Sequence, residues 1–505
     1  MDRVPRFSSL FYKQRLNAAV LPMLGGIALF LLLPQIWATL LILIFSAASL
    51  LMIFRKEEEE RKIFLCVLAG LSLALMLMGA SGIQRARVEK LCHKAYEAEG
   101  FVVAKEEDTC DFALYRLDGD AFYKRVRVKD AGDWKLGQRR CVKLVLYEPD
   151  PENARSEGIS ALATCVDEGA VTGKSLLYTV VGQVREGLSS RFAREKNGGF
   201  LSAVLLGDQS GLTEEQKEAF RRTASSHILA ISGLHVSMTV SFVAVMMQLF
   251  PIPQKFGRII LFPLVFVLYL LAGAGVSVFR ACVMTLFAVS GLLLRRRTDS
   301  VTSLCFSAAI LVVANPYATE SFSFLLSYVT TFGVVWCGAP LCEYVRYRFT
   351  RKDMPFVLRK LQAVVLLLVM SSVSFVFITP IQLLLFETAS PYAPLYAVIL
   401  IPVFQICLLL TLIGALLSGV FFLPEAISSF CLGISARFPD FVIFLAKGSA
   451  MPVESGSASR MIASIFLIGM LVMYRKKAPM TSIFLLQGIW IVFLGGFSFF
   501  SALFA

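Results

Sequence analysis

Two of the three histidines in this 505-residue chain lie close together, at His227 and His235. They flank the segment Leu-Ala-Ile-Ser-Gly at the start of an apolar run, 228–250. On one helix, residues eight apart point within about 80° of each other, and the small residues Ser232 and Gly233 would let a second helix approach closely. The pattern places two histidines at the outer end of a membrane helix, where the structural interpretation is interfacial histidines beside a packing seam of small residues.

A hydrolase is a weaker interpretation of the same residues. Ser232 with either histidine could act as nucleophile and base, but no acid is paired with His227 or His235 to orient the imidazole. Three histidines exclude a site that needs four or five histidine ligands, and no Cys-x-x-Cys or Cys/His spacing indicates zinc. We therefore expect no enzyme activity, no cofactor and no metal site in this chain.

The elements that carry these residues are predicted to be membrane helices. The chain is 57% hydrophobic and only 17% charged, with a mean hydropathy of +0.70, whereas soluble domains carry about a quarter charged residues. Apolar runs long enough to cross a hydrocarbon core of roughly 30 Å recur along the chain. We predict a polytopic α-helical membrane protein with about 11–12 membrane segments, some re-entrant. The runs are 18–33, 36–54, 63–83, 228–250, 259–274, 276–294, 301–314, 319–340, 361–386 and 392–423.

The net charge of +13 indicates membrane topology rather than nucleic-acid binding. Lys and Arg concentrate at the ends of the apolar runs, as they do in cytoplasmic loops. This predicts a cytoplasmic N-terminus and an external segment 84–226, in the periplasm or the external medium. The segment 392–423, interrupted by Pro394 and Pro402, must then enter and leave on one side, because the basic cluster Arg475–Lys477 is expected inside. A re-entrant or split helix is predicted there, which is tolerated only beside protein or water.

These assignments divide the chain into four parts. Residues 1–83 form three membrane helices, and 227–505 form the main transmembrane domain. Between them, 84–175 contain strand-like stretches separated by Asp/Gly turns, which favour a small β-barrel of the OB type. Residues 176–226 are predicted to be helical, and their first helix is amphipathic, so that it lies on the membrane surface or packs against the barrel.

Basic and aromatic residues follow one predicted strand of the barrel. Arg125, Arg127 and Lys129 fall on one face of that strand, with valines on the other. Nearby aromatic residues would suit a groove in which the bases of a single strand stack. A solvated strand face is the alternative, because acidic and basic residues are about balanced over 82–175. The candidate nucleic-acid-binding residues are Lys124, Arg125, Arg127, Lys129, Arg139, Arg140 and Lys143.

Four of the eleven cysteines lie in the external segment, at Cys92, Cys110, Cys141 and Cys165. Four cysteines in an oxidising compartment allow three pairings. We favour Cys110–Cys141 within the barrel and Cys92–Cys165 between its ends, with free thiols as the alternative.

The stretch 227–236, His-Ile-Leu-Ala-Ile-Ser-Gly-Leu-His-Val, resembles the signature of ComEC-type competence proteins. The external OB-like domain also has the position that this family gives it, so the resemblance covers nearly the whole chain. Further matching residues are Leu206-Gly207-Asp208, Phe220–Thr223, Arg280-Ala281, Phe324-Leu325-Leu326-Ser327 before Gly333, and Ser390-Pro391 followed by Pro402.

The resemblance implies a channel in a bacterial inner membrane that carries single-stranded DNA into the cytoplasm during natural transformation. The histidines would lie at its entrance, and Arg280 would face a polar passage, with snorkelling of Arg280 to the outer interface as the alternative. The barrel would receive the strand. Implied partners are a DNA receptor on the outer face and, because no ATP-binding motif is visible, a cytoplasmic helicase-like motor. The implied DNA path consists of His227, Ser232, Gly233, His235, Arg280 and Ser327.

Three positions depart from the family pattern. Ala224 replaces the usual Gly, Leu325 replaces a Gln, and Ala397 lies near the usual Asn. Many members also carry a C-terminal metallo-β-lactamase-like domain thought to degrade the other strand. We expect this chain to lack that domain, so that a separate nuclease would act. A small-solute or lipid transporter with the same helical core is the alternative function, which an inverted internal repeat would favour.

Overall fold

The structure is a computed structural model. Most of the predicted span 36–54 and the whole Arg475–Lys477 cluster lie outside the residues that it describes. The described residues are 15–32, 39, 41–47, 49, 58–105, 109–129, 131, 134–148, 158–248, 253–296, 298–349, 355–385, 388–390, 392–419, 425–447 and 453–454.

Two N-terminal helices, α1 (Arg15–Leu32) and α2 (Glu58–Glu89), pack tightly against each other. A Cβ on Gly70 would lie 2.0 Å from the carbonyl oxygen of Ala19, so the two backbones approach at a distance that only glycine permits. Helix α2 has 32 residues, which corresponds to about 48 Å. It is therefore longer than a bilayer core, and its last turns reach the barrel, where Val88 joins the apolar core.

Five strands follow and close into a barrel in the order β1-β2-β3-β5-β4, with β4 pairing back to β1. The β3–β5 pair is parallel and the other pairs are antiparallel. This is the five-stranded Greek-key arrangement of OB-type barrels, as the sequence predicts. The strands are β1 (Ala95–Lys105), β2 (Thr109–Leu117), β3 (Asp120–Lys129), β4 (Gln138–Tyr147) and β5 (Ala161–Lys174).

Alternating apolar residues build the interior of the barrel. Val126 and Val128 of β3 are fully buried, as the sequence alternation predicts, and they pack around Phe112 and Trp134. The β2–β3 hairpin turns at Asp118 and Gly119, which both have positive φ (47° and 85°). An Asp-Gly pair is favoured there because the tight turn requires left-handed backbone.

Three helices connect the barrel to the rest of the chain: α3 (Leu176–Phe192), α4 (Gly198–Leu206) and α5 (Glu214–Arg222). The Thr-x-x-Gln spacing before α5 predicts a capping box, and Thr213 and Gln216 form it with both reciprocal hydrogen bonds. Helices α4 and α5 share one buried core with later apolar helices. The expected domain boundary at residue 226 therefore falls inside a packed core.

The remaining helices make the chain a multi-pass membrane protein. Among the residues that the structure describes, six helices, α2 among them, are long and apolar enough to span a membrane, and three more apolar helices are shorter. A short π-helical stretch, Val334–Gly338, joins the helices Phe322–Gly333 and Ala339–Phe349 into one of these spans. The helices are α6 (Gly233–Gln248), α7 (Gln254–Leu271), α8 (Val276–Leu294), α9 (Ser300–Ala314), α10 (Phe322–Gly333), α11 (Ala339–Phe349), α12 (Phe356–Leu385), α13 (Ala393–Ser418), α14 (Glu425–Ser435) and α15 (Phe438–Lys447).

The prediction of a split helix over 392–423 is wrong. Helix α13 runs without interruption from Ala393 to Ser418. Pro394 lies in its first turn, where a backbone N–H has no acceptor within the helix, so proline costs little. Pro402 lies inside the helix, and the apolar neighbours Leu400 and Phe404 are fully buried around it.

Candidate functional site

Five of the six residues implied as the DNA path meet where helices α6, α8 and α10 begin. Ser232 precedes α6, Gly233 and His235 lie in its first turn, Arg280 lies in the second turn of α8, and Ser327 lies in the second turn of α10. We call this set the three-helix junction. Residues far apart in the sequence are joined here by direct hydrogen bonds and close backbone contact.

His235 caps the beginning of α6. The backbone N–H of Ser232 donates to His235 Nδ1 over 3.0 Å, and the Ser232 hydroxyl lies 2.9 Å from the same atom. Because Nδ1 accepts a backbone hydrogen bond, the proton of the neutral imidazole is on Nε2. The Ile228 carbonyl lies near the ring, but the buried Nε2 makes no hydrogen bond within the described residues.

This cap corrects one expectation about the histidines. Because α6 begins only at Gly233, His227 lies outside it, in the short 3-10 turn Ser226–Ile228, and is exposed. The two histidines therefore do not share one helix face. His235 is buried instead, with its ring centroid 5.0 Å from that of Phe404 on α13.

The turn before His227 is held by buried hydroxyl groups. Thr223 and Ser225 lie 2.7 Å apart between their side-chain oxygens, and both hydroxyls contact the Phe220 carbonyl. Between them, Ala224 has a φ of 52°. This is left-handed backbone that favours glycine, the residue usual in the resembled family at this position.

Arg280 joins α8 to both other helices of the junction. Its Nη1 donates to the Ser327 carbonyl over 2.5 Å, and its side chain is only 7% exposed. A Cβ on Gly233 would lie 3.5 Å from Nη2, so the guanidinium lies directly against the start of α6. The Ser327 hydroxyl donates to Ser277, one turn before Arg280 on α8.

No carboxylate that the structure describes neutralises Arg280. Within the described part of the chain, Arg280 makes no ion pair, and its Nε is buried without a hydrogen-bond partner. Helices α6, α8 and α10 contain no Asp or Glu. A buried cation among membrane helices is costly unless it faces a cavity, a partner or a ligand. The junction is therefore suited to attract an anion.

On the barrel, the basic residues of β3 point outward as the alternation predicts. Arg125 and Arg127 both donate to the buried carboxylate of Asp111 on β2, over 2.5 and 2.8 Å. Their charges are thus partly neutralised, while Lys129 is exposed at the end of the strand. Lys124 bonds to Gln84 at the end of α2 instead, and its burial lowers the pKa of the ammonium group.

The basic residues of β4 do not continue the β3 surface, because β5 lies between the two strands. Arg139 and Lys143 are exposed, but Lys143 is opposite Glu97 and Asp167 in the two neighbouring strands. The assignment of Arg140 to a binding surface is wrong. Its side chain points into the barrel, 8% exposed, with the guanidinium 5.2 Å from the Trp134 ring centroid.

The structure forms neither predicted disulfide. Cys110 points into the barrel core from β2, whereas Cys141 on β4 is half-buried and contacts Glu97 at 3.8 Å. Strand β1 lies between them, so the Cys110–Cys141 pairing is wrong. Cys92 is buried beside the barrel and donates to the Val88 carbonyl, and no bond joins it to Cys165.

One residue that the sequence analysis missed is Arg185 on α3. Its guanidinium donates to the carbonyls of Leu206 and Leu271, the last residues of α4 and α7. Cations are favoured at such helix ends. The signal was present in the sequence, since Arg185 shares a face with Val181 and Leu188 in an otherwise apolar helical stripe.

Arg185 also bears on how α3 lies against the barrel. Nearer its beginning, α3 contacts the barrel, where the ring centroids of Tyr178 on α3 and Phe101 on β1 are 5.4 Å apart. The helix thus connects the barrel to the ends of two helices in the membrane domain. Its apolar residues Leu176 and Val180 remain exposed, so both expected placements of the helix are compatible with these contacts.

A protein-family model matches the part of the chain that contains the junction. The family model described as "Competence protein" matches residues 204–478, more than half of the chain and all of the three-helix junction. ComE operon protein 3 of Bacillus subtilis is 31% identical over 137 residues, 27% of this chain and 18% of that protein. Recombination protein 2 of Haemophilus influenzae is 27% identical over 344 residues, 64% of this chain and 41% of that protein.

The aligned parts span less than half the length of both relatives. No solved structure matches the chain significantly. The family match rests on the apolar helices and the junction rather than on the barrel, whose strands all precede residue 204. This chain belongs to the Competence protein family.

Proposed function

We propose that this protein is an inner-membrane channel that carries single-stranded DNA into the cytoplasm during natural transformation. The observation that carries the proposal is Arg280, a buried cation without a carboxylate partner in the described residues, at the meeting point of three membrane helices. A phosphodiester backbone cannot enter hydrocarbon and requires a positively charged, polar passage. The names of the related proteins, a com operon product and a recombination protein, support a role in DNA uptake.

In this proposal the barrel receives the strand before it reaches the helices. Arg127 and Lys129 supply positive charge, and the exposed Tyr147 is two strands away across β5, where a base could stack. Helix α3 supports a path between the two parts, because it packs on the barrel and bonds to the ends of α4 and α7 through Arg185.

The proposed orientation places the N-terminus in the cytoplasm and residues 84–226 outside. The junction would then lie near the external surface, since its residues occupy the first turns of helices that begin on that side. We propose a DNA receptor on the outer face, a cytoplasmic helicase-like motor that pulls the strand, and a separate nuclease that degrades the other strand. No enzyme activity of this chain is part of the proposal.

A deletion strain tests this function. Labelled duplex DNA is added to competent cells, and surface-bound DNA and DNase-resistant DNA are counted separately. We expect the deletion to keep surface binding and to lose DNase-resistant DNA and transformants, both restored by the intact gene. Normal DNase-resistant uptake in the deletion strain would refute the channel.

A further inference from the structure

We propose that the beginning of α6, together with Arg280, binds one phosphodiester group of the transported strand. This deepens the proposed function and rests on it. The first N–H groups of a helix have no acceptor within the helix. At α6 the Ser232 N–H is already satisfied by His235, which leaves the N–H groups of Gly233 and Leu234 for a ligand. Gly233 has no side chain and is only half-buried, so part of its backbone is accessible to a ligand.

Gly233 permits an anion to approach the backbone closely. It has no side chain over its N–H group, and Arg280 Nη2 lies next to it. Backbone N–H groups at a helix start and a guanidinium group are the two donors that most often hold phosphate. Here they converge from two different helices.

Arg280 itself also indicates an anionic ligand, because it is buried and only partly hydrogen-bonded. Arg280 is only 7% exposed. Nη1 is used by the Ser327 carbonyl, but Nε has no partner within the described residues. No carboxylate of the described residues pairs with its positive charge.

Three other arginines are paired with carboxylates, whereas Arg185 donates to the carbonyl ends of two helices. Arg125 and Arg127 share Asp111, and Arg191 pairs with Glu425. A buried charge left without a partner is strongly unfavourable, and the single carbonyl bond of Arg280 does not neutralise its charge. A bound phosphate group would supply the missing negative charge at Arg280.

Phosphate groups could come from the strand, from a lipid headgroup or from free phosphate, which share the same chemistry. The test uses the full chain purified in detergent and follows the midpoint of thermal unfolding. The probes are inorganic phosphate, the dinucleotide TpT with its single phosphodiester, and short-chain phosphatidylglycerol. A ligand that binds only the folded protein raises this midpoint by mass action.

The variants are Arg280→Gln and a matched control, Arg258→Gln. Arg258 is half-buried and also donates to a carbonyl of a neighbouring helix, that of Leu292 over 2.8 Å, but Leu292 lies in the last turn of α8 and Arg280 in its second turn. We expect TpT and inorganic phosphate to raise the midpoint of the unmodified chain and of Arg258→Gln. Their apparent affinity should fall at least tenfold in Arg280→Gln. Arg280→Lys, which keeps the charge without the planar fork, should bind with intermediate affinity.

Equal TpT binding by Arg280→Gln and the control would overturn the inference, as would stabilisation by phosphatidylglycerol alone. If Arg280→Gln does not fold, the comparison of Arg280→Lys with the unmodified chain decides, and equal affinity overturns the inference. None of these results would affect the channel itself, which is tested separately by DNase-resistant uptake in cells.

Discussion

The imidazole of His235 accepts the backbone N–H of Ser232 over 3.0 Å, and so occupies the position that Glu or Gln takes in a capping box. His235 therefore has a structural role at the start of α6 in addition to any role in transport. Simple truncation of this side chain would remove both. The two roles can be separated by substitutions that keep the cap.

For His235 we predict different stabilities but the same functional result in two variants. His235→Ala removes the cap and should cost about 1 kcal/mol of stability. His235→Gln keeps an acceptor for the Ser232 N–H and should leave the protein level in the membrane unchanged. Both should lose transformation, because the imidazole and its contact with Phe404 are lost. Normal transformation of His235→Gln would limit His235 to a structural role.

For Arg280 we predict loss of uptake without loss of the fold. Arg280→Leu removes a buried charge from an apolar helix, which on insertion scales favours the membrane state by up to about 3 kcal/mol. The Ser327 carbonyl keeps a hydrogen bond from the Thr331 hydroxyl at 2.8 Å. DNase-resistant uptake and membrane protein level are measured together. A parallel fall of both would show that Arg280 serves the structure.

On the barrel, the structure limits which charges can act. We predict that replacing Arg127 and Lys129 with Ala weakens oligothymidylate binding by the full chain and makes the salt slope shallower by about 1.4, for two lost phosphate contacts. Asp111 keeps Arg125 as its partner in this variant. The control replaces the exposed Lys94 and Arg116 with Ala instead. An equal loss of binding in the control would show that overall positive charge, rather than the β3 surface, determines binding.

Ala224 gives a prediction about stability alone. Because its φ is 52°, Ala224→Gly should relieve left-handed backbone and stabilise the protein by about 1 kcal/mol. Ala230→Gly is the control, since Ala230 is nearby and is not among the residues with positive φ. Unfolding midpoints in detergent are compared. A lower midpoint for Ala224→Gly would indicate that the turn is not strained.

The proposed orientation predicts opposite labelling of two exposed positions. The partly exposed native cysteines Cys66, Cys141, Cys165 and Cys342 are first replaced by alanine. In cells whose cell wall or outer membrane has been removed but whose inner membrane is intact, an impermeant thiol reagent should label Asp120→Cys in the barrel hairpin. It should not label Tyr347→Cys, which lies in α11 between Arg346 and Arg348, on the side expected to be cytoplasmic. The reverse pattern would invert the proposed topology.

Local patterns predicted local structure well. The alternation of β3, the Asp-Gly turn and the capping box before α5 depend on neighbouring residues, and each is confirmed. Arg140 could also have been placed inside the barrel, because it continues the inward positions Val142 and Leu144 by steps of two. Its partner Trp134 could not be deduced from that pattern.

Contacts between distant elements were beyond the sequence pattern. The Arg280–Ser327 bond joins residues 47 positions apart, and helical periodicity does not say which faces of two helices meet. The start of α6 was misplaced because the apolar run extends upstream of Gly233. In the structure the helix begins at Gly233, where the Ser232–His235 hydrogen bond caps its first turn. A re-entrant or split helix was predicted at α13 because Arg475–Lys477 was expected inside and because an interior proline such as Pro402 usually breaks a helix. A membrane helix tolerates such a proline where neighbouring groups satisfy the backbone.

The central claim is that the strand passes the three-helix junction. A photo-crosslinking amino acid placed at Leu234, half-buried in the first turn of α6, tests it most directly in cells that are importing labelled DNA. The same amino acid at Phe256, exposed on the apolar outer surface of α7, is the control. The account predicts crosslinks from Leu234 to single-stranded DNA that require active uptake, and none from Phe256. Crosslinks at neither position, or at Phe256 alone, would contradict a DNA path through the junction.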